Sequence, residues 1–134
     1  MSERENVSVV QSVFEAFGRG DVEALLKLLT NDVRWVVSGP TEVPYMGERR
    51  GREQVKEFFI ALGSNVEFER FEPQEFVAQG ERVVVLGSER GRVRCTGKDF
   101  DNDWAMVFTV RDGRVAQFRS YENTAAVADA FRAV

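Results

Sequence analysis

The sequence contains no histidine, and this absence excludes several classes of active site. Without an imidazole there is no Ser-His-Asp or Cys-His catalytic device and no histidine ligand for zinc or iron. The single cysteine, Cys95, excludes an intrachain disulfide and a thiolate metal cluster, so we expect no metal site and interpret Cys95 as a small core residue. Acid–base chemistry near neutral pH therefore requires a carboxylate with a raised pKa, a tyrosine or one of three lysines.

Basic residues and long apolar runs are also scarce. The chain has 18 Lys and Arg against 22 Asp and Glu, a net charge of −4, so we expect no nucleic-acid partner. The local basic stripe of Arg90, Arg92 and Arg94 is interpreted as a solvated outer face of a sheet. No apolar run approaches the ~18 residues that span a membrane, and "MSERENVSVV" lacks a signal-peptide core. We therefore expect a cytoplasmic protein with no membrane partner.

Apolar spacing predicts three helices in the first half of the chain. Its 134 residues suffice for one domain with a real core, and we expect a single domain over residues 1–134. Helical periodicity indicates a helix over 3–17 that ends at Gly18, followed by a second helix, "VEALLKLL", with Asp21 as its N-cap. A third helix, "REQVKEFFIALG", is predicted to end at Gly63.

Strand patterns dominate the rest of the chain. One strand is predicted in "NDVRWVVSG", and four more over 66–78, 82–96, 103–111 and 114–122, with "RDG" as the last hairpin turn. A short final helix, "NTAAVADAFRAV", closes the chain. Helices followed by a largely antiparallel sheet indicate an α+β fold, in which a cone-shaped, curved mixed/antiparallel β-sheet wraps around the N-terminal helices and keeps a cavity.

The strand "ERVVVLGSERGRVRC" carries the first candidate for catalysis. Alternate residues from Val83 to Cys95 form an apolar face that is interrupted only by Glu89, with Gly87 and Gly91 on either side. A carboxylate on an apolar face is desolvated, its pKa rises, and it becomes a usable acid or base near neutrality. The glycines leave space where a ligand could sit. Alternatively, a bulge turns Glu89 outward or an arginine pairs with it.

The second candidate for catalysis is Glu122, at the end of the last strand. It shares a face with Phe118 and Ser120, which suggests that it points inward near the open end of the cone. The alternative is that Glu122 stabilises the positive N-terminus of the closing helix.

Further residues are predicted to line a substrate pocket. Strand parity groups Trp35 with Val37, and Trp104 with Met106, on inward faces, while core packing remains an equal alternative for both tryptophans. Tyr45 lies in the loop 39–51, which suits a flap over a cavity mouth, although a surface tyrosine is the alternative. The predicted substrate-binding residues are Trp35, Val37, Tyr45, Trp104, Met106, Phe118 and Ser120.

The acidic stretch "DFDND" at 99–103 resembles the start of a calcium loop but lacks its later positions. The glycine required at position 6 is Trp104, and the glutamate required at position 12 is Val110. We therefore reject calcium and interpret the acids as the solvated residues of a hairpin loop.

Three segments together resemble a known family. "FGRGDVEALLKLLTNDVRW", "YMGERRGREQVKEFF" and "FTVRDGRVAQFRSYENTAA" are similar to the SnoaL-like group of the ketosteroid-isomerase-like, or nuclear transport factor two-like, superfamily, over roughly residues 5 to 132. The resemblance implies a cystatin-like α+β cone, no cofactor, and a homodimer through the outer sheet face, with Ala105, Val107 and Thr109 taking part. The fold does not choose among the family's isomerases, cyclases, dehydratases, epoxide hydrolases and non-catalytic members.

Carried over residue by residue, the resemblance favours some activities over others. In limonene epoxide hydrolases a water-activating set of one arginine and two aspartates would fall on Gly87, Glu89 and Ser120, so only the acid is kept and we do not expect epoxide hydrolysis. Ketosteroid isomerases carry a tyrosine on the first helix, where this chain has phenylalanines, and a base where it has Ser38 and Gly39. SnoaL-type cyclases use a cavity carboxylate, for which this chain has candidates.

The sequence therefore predicts an isomerase, cyclase or dehydratase that acts on a small apolar or aromatic molecule. Glu89 would move a proton next to a carbonyl group, with Glu122 or Tyr45 assisting. The alternatives are a non-catalytic module that binds a small ligand, and a protein-interaction module that uses the outer sheet face.

Overall fold

The computed structural model describes residues 2–133, and its mixed α+β architecture confirms the predicted fold class. The predicted single domain 1–134 includes Met1 and Val134, which lie outside the described residues. The elements in chain order are α1 (Glu3–Gly18), α2 (Val22–Lys27), β1 (Leu29–Val37), β2 (Gly47–Arg50), α3 (Gly51–Asn65), β3 (Val66–Gln79), β4 (Arg82–Val93), β5 (Asp99–Arg111), β6 (Arg114–Tyr121) and α4 (Thr124–Phe131).

The six strands form one open sheet with the order β2-β1-β6-β5-β4-β3. All neighbouring pairs are antiparallel except β1 with β6, which are parallel. The last hairpin turns through Asp112 (φ 53°) and Gly113 (φ 81°), two left-handed residues whose twist matches that of the flanking strands. The "RDG" prediction is therefore confirmed, and this hairpin aligns β5 with β6.

Helices α1 and α3 cover the inner face of the sheet. Helix α1 contacts β3, β4, β5 and β6, and helix α3 contacts β1 and β2 near one edge and β3 at the other. A capping box starts α1, since Ser2 Oγ accepts the Glu5 N–H and Glu5 Oε1 accepts the Ser2 N–H, each at 3.1 Å. Its apolar stripe, including the buried Val10 and Val13, packs against the inner face and forms one core with the sheet.

Two boundaries in the middle of the chain differ from the prediction. Helix α3 does not end at Gly63 but continues to Asn65, where the chain turns directly into β3. The predicted loop 39–51 contains strand β2, which pairs with β1 along the sheet edge. Its sequence "GERR" has no apolar alternation, because three of its four residues are exposed and it buries no side chain, so periodicity could not reveal it.

The predicted alternation of β4 is correct up to the end of the strand. Val83, Val85, Gly87, Glu89, Gly91 and Val93 all lie buried on the inner face. The prediction for Cys95 is wrong, because β4 ends at Val93 and the chain enters a turn closed by the Gly97 N–H to Val93 O hydrogen bond. Cys95 is therefore exposed in a turn, not part of the core.

The prediction that "DFDND" is a solvated hairpin loop is also wrong. These residues form the start of β5, with Phe100 and Asn102 turned inward and the three aspartates outward. On the outer face Arg90 Nη1 bonds Asp101 Oδ2 at 2.7 Å, and Arg92 Nε bonds Asp99 Oδ1 at 2.9 Å. The basic stripe lies on the outer face as predicted, and the acids of the neighbouring strand are its partners.

The outer face also carries the residues of the predicted dimer interface. Ala105, Val107 and Thr109 are half-buried there, beside the exposed side chains of Leu86 and Tyr121. Dimer formation through this face stays a prediction, as does a cytoplasmic location. Among residues 2–133, no helix is long and apolar enough to cross a membrane.

Candidate functional site

A cavity of about 70 Å³ lies between the helices and the inner face of the sheet. Its lining is mostly aromatic and reaches from Trp35 on β1 to Phe68 and Phe71 on β3, two strands on opposite sides of the sheet. The cavity therefore extends across most of the width of the sheet. Since one water molecule needs roughly 10–15 Å³ of such volume, the space is sufficient for several waters or for a small organic group in their place.

Glu89 lines this cavity from the middle of β4. Its side chain is 5% exposed, and it stands opposite Asn102 in the β4–β5 register. Glu89 points inward because residues of β4 alternate regularly between the two faces of the sheet. The register shifts between β3 and β4 come from extra residues in β3, so β4 itself contains no bulge. The alternatives of an outward-turning bulge and a structural arginine partner are both wrong.

The surroundings of Glu89 keep it protonated at neutral pH. The pKa of its carboxyl is raised from 4.5 to about 8, mainly by burial and to a lesser extent by the nearby charge of Glu122. The amide of Asn102 partly offsets this increase. A carboxylic acid with this pKa can donate a proton or a hydrogen bond at neutral pH, which an exposed glutamate cannot.

Glu122 follows β6 and faces the same cavity. Each of its carboxyl oxygens accepts one hydrogen bond: Oε1 from Asn102 Nδ2 at 3.0 Å and Oε2 from Ser120 Oγ at 2.8 Å. Burial raises its pKa, and the two donors oppose that increase by stabilising the charged form. The N-terminus of α4 is capped by the Asn123 side chain, which accepts the Ala126 N–H, so Glu122 does not serve as the helix cap.

Tyr45 closes one side of the cavity and is only 4% exposed, so the alternative of a surface tyrosine is wrong. Its ring packs against Phe58 and Phe131, and its carbonyl accepts a hydrogen bond from Arg49 Nη1 at 3.0 Å. Burial raises the pKa of the Tyr45 phenol, and the charges of the two glutamates raise it further. The hydroxyl therefore stays protonated and is a hydrogen-bond donor near both carboxyl groups.

Of the other predicted pocket residues, all but Trp104 line the cavity. Trp35 lines the cavity and stacks on Phe118 with ring centroids 4.0 Å apart, and the lining also includes Val37, Met106 and Ser120. Trp104 is not among the lining residues described. It stacks on two rings that do line the cavity, Phe14 at 6.0 Å and Phe71 at 5.2 Å, so it supports the pocket from behind.

The glycines beside Glu89 do not leave space for a ligand, contrary to the prediction. A Cβ at Gly87 would lie 2.5 Å from the Trp104 ring, and one at Gly91 would lie 2.7 Å from the Phe100 ring. Aromatic rings therefore fill these positions. The glycines allow the rings to pack against the β4 backbone, and this packing desolvates Glu89.

Sequence reasoning missed part of the site. Phe68 and Phe71 both line the cavity although they are three residues apart in the sequence. A register shift between Phe68 and Arg70 turns both side chains to the same face, so simple alternation along β3 could not predict this pair. Asn102 was hidden in a stretch that looks solvated, although it is 2% exposed. In the sequence, Asn102 stands midway between Phe100 and Trp104, and this alternation could have predicted that its side chain points inward.

The cavity lining described includes no lysine or arginine. Within residues 2–133, no group of three or more His, Cys, Asp or Glu side chains could hold a metal ion. The chemical groups offered to a ligand are therefore two carboxyls, a phenol and a serine hydroxyl, surrounded by aromatic carbon. Such a set can exchange protons and hydrogen bonds with a ligand.

Comparisons with known proteins agree with this architecture. The chain matches the family model of the SnoaL-like domain over residues 10–118, and a search of curated proteins gave no match. An NTF2-like protein from Burkholderia xenovorans is 40% identical with a TM-score of 0.91, over 98% of this chain and 99% of that one. An NTF2-like protein from Burkholderia pseudomallei is 30% identical with a TM-score of 0.88, over 98% of both chains. TerC, crystallised with polyporic acid, is 26% identical with a TM-score of 0.85, over 95% of this chain and 98% of that one.

Proposed function

The chain belongs to the SnoaL-like domain family, and from this premise we propose that it is a cofactor-free enzyme of the isomerase, cyclase or dehydratase type. Its substrate is a small apolar or aromatic molecule that carries a carbonyl group. The reaction moves a proton at the carbon next to that carbonyl. Glu89 and Glu122 exchange the proton with the substrate, and Tyr45 donates a hydrogen bond.

The observation that carries this proposal is the pair of desolvated carboxyl groups facing one aromatic cavity. A buried pair in which the charge of one group raises the pKa of the other holds one proton more readily than none or two. The pair can therefore offer an acid and a base at the same pH, which proton transfer next to a carbonyl requires.

The step balances with these two groups alone. The ionised carboxylate removes a proton from the carbon beside the carbonyl, and the C–H electron pair forms a C=C bond. The carbonyl π electrons move to oxygen, which takes the proton of the neutral carboxyl group while the Tyr45 phenol donates a hydrogen bond to the same oxygen. The product is an enol. In a ketone with a C=C bond between the β and γ carbons it is a dienol, and the protonated base then gives its proton to the γ carbon while the enol O–H returns its proton to the other carboxylate. The C=C bond has moved next to the carbonyl, and both carboxyl groups are back in their starting states.

The lining supports an apolar, flat substrate. Trp35 and Phe118 stack at 4.0 Å and present aromatic surface to the cavity beside Met106. The similar protein TerC has been crystallised with the small molecule polyporic acid, which supports a small-molecule ligand for this chain as well.

Hydrogen–deuterium exchange tests the proposal without knowledge of the product. An aryl ketone such as 2-tetralone is incubated with the protein in D2O, and loss of its α-hydrogen signal is followed by proton NMR. We expect exchange above the buffer rate, and we expect Glu89→Gln and Glu122→Gln each to reduce it by about 10²–10⁴-fold. Glu69→Gln, a glutamate of the outer face that pairs with Arg90, serves as the matched control and should exchange at the wild-type rate.

The same experiment distinguishes the alternative of a non-catalytic binding module. If ketones of this class bind in a titration of tryptophan fluorescence but exchange no faster than in buffer, the protein binds a ligand without proton transfer, and the enzymatic proposal is wrong. Exchange that survives both glutamine substitutions would also overturn it.

A further inference from the structure

The two carboxyl groups of the cavity do not have the same hydrogen-bond partners, although both are glutamates whose pKa is raised by burial. Glu122 accepts a hydrogen bond on each oxygen, from Asn102 and from Ser120, whereas the pKa of Glu89 is lowered by a hydrogen bond from Asn102 alone. Donors stabilise the ionised form of a carboxyl group, and a shortage of donors stabilises the neutral form. The proposed function requires one ionised and one neutral carboxyl group. The difference in hydrogen-bond donors decides which glutamate is ionised and which is neutral.

The Asn102 amide is held in one orientation by the backbone. Its Oδ1 accepts the Asn123 N–H at 2.7 Å, so the NH₂ end must point the other way, toward Glu122 Oε1 at 3.0 Å. A reversed amide would place Oδ1 against the carboxylate and Nδ2 against an N–H, and both contacts would be repulsive. Asn102 is 2% exposed, so water cannot compensate for either loss.

From this geometry we propose that Asn102, fixed by the backbone of Asn123 and assisted by Ser120, is a positioning residue that makes Glu122 the proton acceptor and Glu89 the proton donor. This inference rests on the proposed function and assigns its two roles. Asn102 touches neither the cavity space nor a ligand; it acts through the carboxyl group that it holds.

The charged and titratable groups around this pair are few. Glu89 comes from β4, Glu122 follows β6, and Tyr45 from the loop before β2 stays protonated. The guanidinium of Arg49 lies 5.4 Å from the centre of the Phe58 ring, and Phe58 lines the cavity. No basic side chain appears in the described lining, so a lysine or arginine does not set the protonation of either carboxyl group.

The test is a pH titration of the ligand-free protein in which carbon NMR of labelled glutamate monitors both carboxyl groups. In the wild type, Glu122 should titrate at a lower pH than Glu89. Ser120→Ala removes the donor that Glu122 alone has, so its midpoint should rise and the gap between the two groups should narrow. Asn102→Asp replaces the other donor with an acceptor and should raise the Glu122 midpoint by about one pH unit or more.

Asn65→Asp is the matched control, since Asn65 donates a comparable 2.7 Å side-chain hydrogen bond to Ala61 O far from the carboxyl pair. It should leave both midpoints unchanged. If Asn102→Asp fails to fold, Ser120→Ala still decides the outcome. The inference is overturned if Glu89 titrates below Glu122 in the wild type, or if neither substitution moves the Glu122 midpoint.

This titration uses no substrate, so its failure is distinct from failure of the proposed function. An enzyme with the roles reversed would still exchange α-hydrogens and would still lose exchange in both glutamine variants. Conversely, the predicted order of titration without any exchange activity would confirm that Asn102 and Ser120 set the protonation of the pair and would refute catalysis.

Discussion

Strand β4 carries two neighbouring ionisable residues, Glu89 and Arg90, with opposite surroundings. Glu89 faces the inner cavity, where aromatic rings desolvate it and the described lining offers it no cation. Arg90 faces outward and contacts three carboxylates, those of Glu69, Asp99 and Asp101, at 3.3, 3.1 and 2.7 Å. One step along the backbone therefore separates an unpaired buried acid from a fully paired exposed base.

The difference between the two faces shows how a sheet can hold a reactive group without losing its register. On the outer face, water and opposite charges lower the cost of each ion, so the arginines remain ordinary structural residues. On the inner face the same sheet removes water from Glu89 and gives it a pKa of about 8. Because the alternation of β4 is unbroken, the backbone hydrogen bonds between β4 and β5 fix the positions of the arginines on the outer face and of Glu89 on the inner face.

The largest expected effect comes from removing the inner acid. In the unfolded chain Glu89 ionises above about pH 4.5, whereas in the folded protein it stays protonated up to about pH 8. Its contribution to stability is therefore fully present below pH 4.5 and is lost as the pH rises toward 8. At about 1.36 kcal/mol per pKa unit, the loss is on the order of 5 kcal/mol.

Glu89→Gln should remove this pH dependence. Urea unfolding at pH 4.5 and pH 8 should show that wild type loses much of its free energy of unfolding between the two, while the variant loses far less. The outer-face variant Glu69→Gln should keep the wild-type slope. An unchanged slope in Glu89→Gln would mean that the inner face does not desolvate this carboxyl group.

The next largest effect is expected at Gly87, the glycine that lets the Trp104 ring pack against the backbone of β4. Gly87→Ala would place a Cβ 2.5 Å from both the Glu72 carbonyl oxygen and the Trp104 ring, so it should destabilise the protein by about 1–3 kcal/mol. Gly63→Ala, inside helix α3 with nothing within 4 Å of the new Cβ, should stabilise it by roughly 0.5–1 kcal/mol. Thermal unfolding of both variants checks the contrast, and equal melting temperatures would contradict it.

Ligand charge gives a third comparison between the faces. The inner cavity offers carboxyl groups without a described basic partner, so a negatively charged ligand meets repulsion there. Phenylacetone and phenylacetate share one aromatic body, and at pH 7 the neutral ketone should bind at least about tenfold more tightly by calorimetry. Tighter binding of phenylacetate would indicate a cation in the site and contradict this description.

The smallest effect is expected on the outer face. Arg90→Gln breaks three ion pairs at once, yet all are exposed, so the loss of stability should be small compared with the change at Glu89. It should vanish at 1 M NaCl, where the Debye length is about 3 Å. A large loss that persists in high salt would show that this network supports the fold more than an exposed surface should.

The fold could be predicted because its strongest signals are local. The alternation of β4, the "RDG" turn and the stripe of α1 each follow from burial of one face. Strand β2 was not predicted because none of its side chains is buried, so its sequence shows no apolar alternation. The prediction for Cys95 was wrong because alternation does not show where a strand ends.

The candidate site was only partly visible in the sequence. Glu89 stood out as the one acid on an apolar strand face, and the structure places it in the cavity lining. The role of Asn102 was not visible, because it depends on which side chains meet across β4, β5 and the end of β6. Tertiary contacts of this kind leave no periodic pattern, and the bulges in β3 erase the pattern for Phe68 and Phe71.

The most direct measurement is the titration of the Glu89 carboxyl group in the wild-type, ligand-free protein by carbon NMR. The account predicts a midpoint near pH 8, with a protonated acid at neutral pH. A midpoint at or below 4.5 would show an ordinary ionised glutamate, and the role of Glu89 as a proton donor at neutral pH would then be ruled out.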